Sequence, residues 1–401
     1  MFQVPKGTRD LAPKEARKYY FVIDVLRGVF EKYGFGPLIT PAFEDYGLLS
    51  AKSGPAIKNE IYYFKDKSNR ELGLRFEFTA SLARFMSNNP NLVKPFKRYQ
   101  VGTVWRYDNP QAMRFREFTQ ADVDIIGSTS VLADFEVLSC FCSCMDALGF
   151  KDYYIRINSR KLLEEKLTIL GKVTNVNDVF RIIDKTDKIG ESAVKEELKR
   201  RGFDPVKIMK IVKSLKPEGE IKELLKYAKD NGIEKKLKFD ASLVRGLEYY
   251  TGLVFEVYAG KGLSCGGGGR YDNLIKQLGG PELSATGISF GVDRLIGLMN
   301  ELKLFKPLEE GVFIITANEK LMDNTIELCK DLRAQGIKCD YDLMNRKFSK
   351  QLEYASSIEV PYVIIVGEKE LKQGKILLKD MKTGKEELIN SEDVCKLITS
   401  S

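Results

Sequence analysis

Four consecutive glycines, Gly266 to Gly269, stand between strand-like segments and constrain this chain more than any other feature of its sequence. A glycine in a strand has no side chain to pack and loses more backbone entropy on ordering than other residues. We therefore expect the run outside any ordinary strand interior, where backbone approaches a ligand closely; a flexible surface turn is the alternative. Two phosphate motifs are excluded, because a P-loop requires Gly-Lys-Ser/Thr and G-x-G-x-x-G requires glycine where Tyr271 stands.

The chain of 401 residues contains no histidine. This excludes Ser-His-Asp and Cys-His nucleophile systems and the HExxH zinc site. The closest approach to a metal motif is CFCSC at Cys140, Cys142 and Cys144, which lacks the paired spacing of zinc ligands. These cysteines lie in a segment of helical periodicity, so we interpret them as buried structural residues and predict no metal ligands.

Charge and hydropathy indicate a location but no specific partner. Lys+Arg exceeds Asp+Glu by 64 to 56, a mildly basic balance that fits a polyanionic partner without requiring one. No apolar run approaches the roughly 20 residues of a membrane span, and the N-terminus has no apolar signal segment. Seven irregularly spaced cysteines do not resemble a disulfide framework. We expect a cytoplasmic protein with no membrane association.

The residue pattern divides the chain into segments of different character. Residues 161–238 are rich in Lys, Glu, Leu and Ile at helical spacing, which predicts a helical insertion. From residue 310 to 401, strand and helix patterns alternate, as in a small α/β domain around a parallel or mixed sheet, and 302–310 is a candidate linker. Elsewhere we predict helices at 13–34, 81–88 and 130–148, and extended segments at 61–65, 75–79, 96–107, 115–127, 239–257 and 285–290.

Arginines recur in settings that favour an anion site. Arg106, Arg114 and Arg116 cluster around the turn that follows Trp105, and the guanidinium fork matches phosphate oxygens. A basic surface hairpin is the alternative for these three. Arg245 and Arg294 stand inside apolar segments, where an arginine is costly unless it is paired. Convergence of these side chains would make a polyphosphate site.

Polar residues also alternate along the segment TQADVDI. Gln120, Asp122 and Asp124 share one face if this segment is a strand. Such a row of acceptors suits an ammonium or imidazole N–H group, and a solvent-facing strand edge is the alternative.

Several stretches together resemble the histidyl-tRNA synthetase family of class II aminoacyl-tRNA synthetases, over nearly the whole chain. GFGPLITPAFE, VWRYDNPQAMRFREFTQADVDIIG and GISFGVDRL are similar to class II motifs 1, 2 and 3. LVRGLEYYTG and SCGGGGRYD resemble two signatures of histidine-specific enzymes. KGTRDLAP resembles the family's opening, and NRKFSKQLEYASSIEVPYVIIVGEKE resembles the anticodon-binding domain of class IIa enzymes.

The resemblance implies a fold and an activity. The fold would be an α+β catalytic domain, an antiparallel sheet flanked by helices, formed by 1–160 and 239–303 around a helical insertion at 161–238. A C-terminal α/β anticodon-binding domain would follow at 310–401. The enzyme would be a histidine–tRNA ligase that activates L-histidine with ATP, accompanied by Mg²⁺, to histidyl-adenylate and transfers histidine to the 3′-end of tRNA-His. It would form a homodimer at motif 1, and the insertion would clamp the tRNA acceptor arm.

The resemblance also assigns roles to single residues. Arg106 would hold the α-phosphate and the carboxylate, with Arg245 opposite it in a place that a metal ion takes in other class II enzymes. Arg114 and Arg294 would grip the β- and γ-phosphates. The residues of the histidine pocket would be Glu77, Thr79 and Gln120 at the α-amino group, Asp124, Tyr249 and Tyr250 at the imidazole, and Gly267 and Gly268 at the floor.

Two departures and one alternative accompany the resemblance. Many relatives have His or Tyr where this chain has Thr119, and many bacterial members have Arg where it has Asn109. The alternative is a catalytically inactive, synthetase-like regulatory subunit of ATP phosphoribosyltransferase. Such subunits usually lack the C-terminal domain and have eroded motifs, whereas this chain has the domain and all four arginines. A non-catalytic RNA-binding protein would leave the glycine run unexplained.

Overall fold

The structure, a computed structural model, describes residues 2–51, 59–109, 113–245, 249–260, 262–306, 311–390 and 393–399. The chain divides into two compact units, 1–305 and 306–401. This boundary falls inside the predicted linker, of which 307–310 lie outside the described residues. Across the described residues, no helix combines the length and the apolar composition that a membrane span requires.

Strands of the first unit form a large sheet and a small one. The strands are β1 (Gly36–Pro37), β2 (Phe43–Asp45), β3 (Tyr63–Lys65), β4 (Glu71–Leu74), β5 (Phe96–Trp105), β6 (Glu117–Ile126), β7 (Tyr153–Ser159), β8 (Leu237–Phe239), β9 (Leu253–Ala259), β10 (Leu263–Arg270) and β11 (Ala285–Gly291). The large sheet has the order β1-β5-β6-β11-β10-β9-β7-β8, and the small one has the order β2-β4-β3. The inner pairs of the large sheet are antiparallel, as predicted, and β1 and β8 add parallel edges.

Helices cover one face of the large sheet. The helices of the first unit are α1 (Pro13–Lys32), α2 (Tyr46–Ser50), α3 (Thr79–Asn88), α4 (Val131–Ala147), α5 (Arg160–Ile169), α6 (Val176–Ile183), α7 (Thr186–Arg200), α8 (Pro205–Ser214), α9 (Gly219–Asp230), α10 (Leu274–Gln277) and α11 (Val292–Glu301). The main core joins α1, α4 and α11 to the sheet, with Phe30, Phe141 and Phe290 among its fully buried members. The cysteines of CFCSC are buried in α4, which confirms their structural interpretation.

The predicted helical insertion contains two kinds of helix. Helices α5 to α8 surround a second core, to which Leu163, Phe180 and Ile208 contribute and which Val244 joins from outside the insertion. Helix α9 instead buries Ile221 and Leu224 in the main core of the sheet. The parallel strands β7 and β8 require a crossover connection, and α9 supplies the part of it that packs on the sheet.

Three expectations about extended segments were wrong. The segment predicted as extended over 239–257 is strand only at its ends, because β8 ends at Phe239 and β9 begins at Leu253. The glycine run lies inside β10, paired with β9 on one side and β11 on the other. The low strand propensity of glycine is outweighed here, because neighbouring side chains on both faces of β10 occupy the space that a larger residue would need. A Cβ at Gly266 would lie 2.8 Å from the ring of Phe141, and one at Gly267 would lie 2.5 Å from Arg245. The segment 75–79 is not a strand either, since β4 ends at Leu74 and α3 begins at Thr79.

The second unit is the predicted small α/β domain. Its elements are β12 (Val312–Thr316), α12 (Met322–Ala334), β13 (Cys339–Tyr341), α13 (Phe348–Ser357), β14 (Tyr362–Val366), α14 (Glu368–Lys372), β15 (Ile376–Asp380), β16 (Glu386–Ile389) and α15 (Val394–Thr399). The sheet has the order β13-β12-β14-β15-β16, parallel over the first three strands and antiparallel over the last two. It has a separate core that includes Ile314 and Ile364.

Candidate active site

A cavity of about 360 Å³ lies on the face of the large sheet that α1 and α4 leave open. Alternation along β6 creates this division, because it sends Ala121 and Val123 into the core and Gln120, Asp122 and Asp124 into the cavity. The cavity brings together ten of the residues proposed from the sequence. They are Glu77, Thr79, Arg106, Gln120, Asp124, Arg245, Tyr249, Tyr250, Gly267 and Gly268.

Glycines form the floor of the cavity. Strand register places Asp124 beside Gly287 of β11, and Gly287 beside Gly269 of β10. Gly287 lines the cavity, and a Cβ there would lie 2.0 Å from Asp124 Oδ1, so this glycine gives room to the carboxylate. A Cβ at Gly269 would lie 2.5 Å from the Leu253 carbonyl oxygen and 3.0 Å from the Tyr250 ring. The result is a glycine trough, in which backbone without side chains adjoins the Asp124 carboxylate.

Asp124 is held in place from two sides. The hydroxyl of Tyr271 donates to its Oδ1, and Arg98 forms an ion pair with its Oδ2 at 2.6 Å. Arg98 is its register partner on β5 and is fully buried. Burial raises the pKa of Asp124, while the charge of Arg98 opposes that rise. Sequence reasoning missed Tyr271 as a contact of this carboxylate, although it stands only two residues after the glycine run.

Asp122 occupies the middle of the polar row. Burial raises its pKa to about 7, with Arg98 lowering it and Asp124 raising it further. Among the described residues, its Oδ1 has no hydrogen-bond partner. A buried acceptor in a cavity wall is available to a donor on a ligand.

Arg106 and Gln120 meet at the other end of the row. Arg106 donates from Nε to the Phe76 carbonyl at 2.9 Å and from Nη2 to Gln120 Oε1 at 3.3 Å. Gln120 in turn donates to Ser289 Oγ at 2.6 Å. Burial lowers the pKa of Arg106 and the nearby Glu77 opposes this, yet a guanidinium keeps its proton.

Glu77 stands at the start of α3. Its carboxylate accepts hydrogen bonds from the backbone N–H groups of Thr79 and Ala80, at 2.5 and 2.8 Å. This satisfies two donors at the helix N-terminus and fixes the carboxylate at the cavity wall.

Arg245 lies over the glycine floor in a left-handed backbone conformation, with φ of 61°. A Cβ at Gly267 would lie 2.5 Å from its Nη1, so the guanidinium occupies the space that this glycine leaves. Its Nη1 donates to Glu256 Oε1 at 3.5 Å. Residues 246–248, which follow it, lie outside the described residues.

Three tyrosines form an aromatic wall. The ring centroids of Tyr249 and Tyr250 are 4.8 Å apart, and those of Tyr249 and Tyr271 are 6.0 Å apart. Burial raises the pKa of the Tyr249 and Tyr250 hydroxyls, which therefore stay protonated and can donate hydrogen bonds.

Arg114 and Arg294 do not line the cavity. Arg114 is ion-paired with Asp108, and Arg294 donates to the Ser264 carbonyl at 2.5 Å. Burial lowers the pKa of Arg294, and the charges of Arg114 and Arg106 lower it further. These three guanidiniums therefore share one region of positive potential, which favours an anion.

Sequence reasoning missed one whole wall of the cavity. Asp184, Thr186, Asp187 and Lys188 from the insertion line it, and Glu256, Tyr258 and Arg156 from β9 and β7 line it beside them. Alternation of Glu256 and Tyr258 along FEVY was the available signal on β9. No signal in the sequence connects the insertion residues to a cavity on the sheet.

Among the described residues, no group of three or more Cys, Asp or Glu side chains is arranged to hold a metal ion. A magnesium ion that enters with a nucleotide usually keeps phosphate and water ligands and needs at most one or two carboxylates. The described residues therefore provide no closed metal cage.

Family models and known relatives match nearly the whole chain. A family model described as histidyl-tRNA synthetase matches residues 7–295, and one described as an anticodon binding domain matches 311–401. The histidine–tRNA ligase of Methanocaldococcus jannaschii is 38% identical, with 98% of this chain and 99% of that protein covered. That of Thermococcus kodakarensis is 36% identical, with 96% of each covered. The crystal structure of histidyl-tRNA synthetase from Nostoc superposes with a TM-score of 0.86 at 27% identity, over 100% of this chain and 99% of that one.

Proposed function

Since the chain belongs to the histidyl-tRNA synthetase family and is a histidine–tRNA ligase, we propose that the cavity between Asp124 and Arg245 is where it activates L-histidine. Such an enzyme joins the carboxylate of histidine to the α-phosphorus of ATP and releases pyrophosphate. It then transfers the histidyl group to the 3′-end of tRNA-His. Both steps are group transfers, in which positioning and charge stabilisation dominate.

The glycine trough that ends at Asp124 is the single observation that carries this proposal. In the cavity wall, the bare backbone of Gly287 adjoins a carboxylate that Tyr271 and Arg98 hold in place. An imidazole lying in the trough would donate an N–H to Asp124. Tyr249 and Tyr250 would contact the ring, and Gly267 and Gly268 would continue the floor beneath the substrate.

The α-amino group of histidine would lie at the opposite end of the polar row. Glu77 supplies a fixed carboxylate, and Thr79 and Gln120 line the same wall. An ammonium group there replaces its lost hydration with three acceptors. Adjacent Arg106 would hold the carboxylate of histidine, which places the attacking oxygen next to the phosphate site.

Arginines would stabilise the charge that develops on ATP. Arg106 and Arg245 would flank the α-phosphate as catalytic residues, because both guanidiniums project into the cavity. Arg114 and Arg294, whose charges act in the same region, would bind the β- and γ-phosphates. Mg²⁺ bound to ATP would neutralise part of the negative charge of the phosphates.

We propose the remaining partners from the same premise. The second unit would bind the anticodon of tRNA-His, and 161–238 would contact its acceptor arm as an insertion between catalytic segments 1–160 and 239–303. The exposed apolar side chains of Ile39 and Phe43 flank Pro41 in the segment that resembles motif 1, which supports a homodimer interface there. As a translation enzyme, the protein would act in the cytoplasm.

Amino-acid-dependent ATP–pyrophosphate exchange tests the proposed function. Exchange with histidine alone is the expected result, and no exchange with any amino acid would overturn the proposal. The regulatory-subunit alternative is not favoured, because the anticodon-binding match occupies 311–401.

A further inference from the structure

The helical insertion reaches the catalytic cavity itself. The corner between α6 and α7 places Asp184, Thr186, Asp187 and Lys188 in the cavity wall. A module that served only to grip tRNA would have no need to touch the place where amino acid and ATP react. Hydrogen bonds connect this part of the insertion to Arg245.

The backbone of Arg245 is anchored to the insertion. Its left-handed conformation, with φ of 61°, is unfavourable for a residue with a side chain and persists only where its surroundings hold it. Arg160 donates from Nη1 to the carbonyls of Val244 and Arg245, at 3.3 and 3.2 Å, and from Nη2 to Asn177 Oδ1 at 3.3 Å. The guanidinium of Arg160 also lies 4.7 Å from the ring centroid of Phe180. Both Asn177 and Phe180 belong to α6. This helix therefore holds Arg160 in place, and Arg160 in turn holds the backbone of Arg245.

The side chain of Arg245 is linked to the insertion by a second route. Arg245 donates to Glu256 Oε1 at 3.5 Å, and Tyr258 donates to Glu256 Oε2 at 2.9 Å. Arg156 then donates to the Tyr258 hydroxyl at 3.1 Å and to Asp187 Oδ2 at 2.5 Å. A continuous row of hydrogen bonds thus runs from the reacting centre through β9 and β7 to the first turn of α7.

Asp184 adds a negative charge on the insertion side of the cavity, which Arg245 also lines. It lies at the end of α6, where burial raises its pKa and the charge of Arg245 lowers it.

We propose that the insertion holds Arg245 in the conformation that adenylate formation requires, with Asn177 and Asp187 as its positioning residues. This inference rests on the function proposed for Arg245 above. Because tRNA takes no part in adenylate formation, the insertion then governs a step that precedes its contact with tRNA.

ATP–pyrophosphate exchange without tRNA tests this directly. Asn177→Ala and Asp187→Asn are each expected to lower kcat by about tenfold while the KM values for histidine and ATP stay within about twofold of wild type. Asp187→Glu should restore part of the rate, because it keeps the charge. Glu191→Gln is the matched control, since it removes surface ion pairs with Lys195 and Lys213 elsewhere on the insertion.

A double-mutant cycle separates positioning from general weakening of the fold. In an Arg245→Ala background, Asp187→Asn is expected to have no further effect on kcat, because the group that it positions is gone. An undiminished effect of Asp187→Asn in that background would overturn the inference. The Asp187 side chain is 62% exposed, so its variant should unfold at the wild-type temperature.

The outcomes separate the role of Arg245 from the role of the insertion. If Arg245→Ala leaves the exchange rate unchanged, the proposed role of Arg245 fails, and with it this inference. If Arg245→Ala lowers the rate while Asn177→Ala and Asp187→Asn behave like Glu191→Gln, only the inference about the insertion fails.

Discussion

Gly287 lies against the carboxyl group of Asp124, so closely that a Cβ at this glycine would be 2.0 Å from Asp124 Oδ1. Gly287→Ala must therefore displace the carboxylate or close the trough. We expect the KM for histidine to rise by about tenfold, since overpacking costs about 1–3 kcal/mol, while the KM for ATP changes little. Steady-state exchange kinetics measure both constants. Gly28→Ala, where nothing lies within 4 Å, is the control, and an unchanged KM in Gly287→Ala would contradict the trough.

Gly267→Ala, on the same face of the sheet, should change kcat instead of KM. A Cβ at Gly267 would lie 2.5 Å from Nη1 of Arg245 and would push its guanidinium off the floor. We expect Gly267→Ala to lower kcat of exchange by about tenfold or more, because one stabilising group at the reacting phosphate is misplaced. If Gly267→Ala and Gly287→Ala changed kcat and KM alike, the division of the floor into a phosphate end and an imidazole end would be wrong.

Asp124→Asn should weaken both histidine binding and the fold. The isosteric amide keeps the shape but leaves Arg98, which is fully buried, without its ion-pair partner. Breaking one side of a buried ion pair costs about 3–5 kcal/mol, so we expect a lower free energy of unfolding in urea. We also expect a higher KM for histidine in exchange assays. A variant with wild-type histidine KM would remove Asp124 from the imidazole site.

Asp122 should make the free energy of unfolding depend on pH. Burial raises its pKa in the folded protein to about 7, above its value in an unfolded chain. The folded state therefore binds more protons at this site, and the contribution of Asp122 to the free energy of unfolding falls as pH rises from about 4 to about 7. Asp122→Asn should remove that fall, so the variant gains stability relative to wild type as pH increases. Urea unfolding at several pH values measures it, with the exposed Asp152→Asn as control; parallel curves for Asp122→Asn and wild type would refute the assignment.

The proposed homodimer makes a prediction about two exposed side chains. Ile39, 91% exposed beside Pro41, should be buried by the partner subunit, so Ile39→Asp should raise the dimer dissociation constant by at least about tenfold. Val93→Asp changes another aliphatic side chain of similar exposure, 86%, outside that segment and should leave the dimer intact. Sedimentation equilibrium distinguishes the two variants, and equal dissociation constants would exclude this interface.

The sequence allowed the chemistry of the β6 row to be predicted because strand alternation is a local property. Gln120 and Asp124 share a face wherever TQADVDI is a strand, and both line the cavity. The arginines were recognisable for a similar reason, as charges inside apolar segments.

The remaining features depend on contacts between distant segments. The glycine run was misplaced because strand propensity describes one residue at a time, whereas Phe141 on one face and Arg245 on the other decide what fits at β10. Asp184 and Asp187 were missed for a stronger reason. Nothing in their local pattern shows that the corner of a helical insertion lies beside Glu256.

The parallel pairing of β7 with β8 has a consequence for how such enzymes diversify. The sheet requires a crossover between these two strands, and α9, which packs in the main core, is sufficient to provide one. Helices α5 to α8 surround a separate core, which Val244 enters from the catalytic segment, and are in this sense a cassette. Replacing the cassette would leave the main core of the sheet in place. On the role proposed for Arg245, it would also change the supports of that residue, so that the speed of the chemistry could be tuned apart from the choice of amino acid.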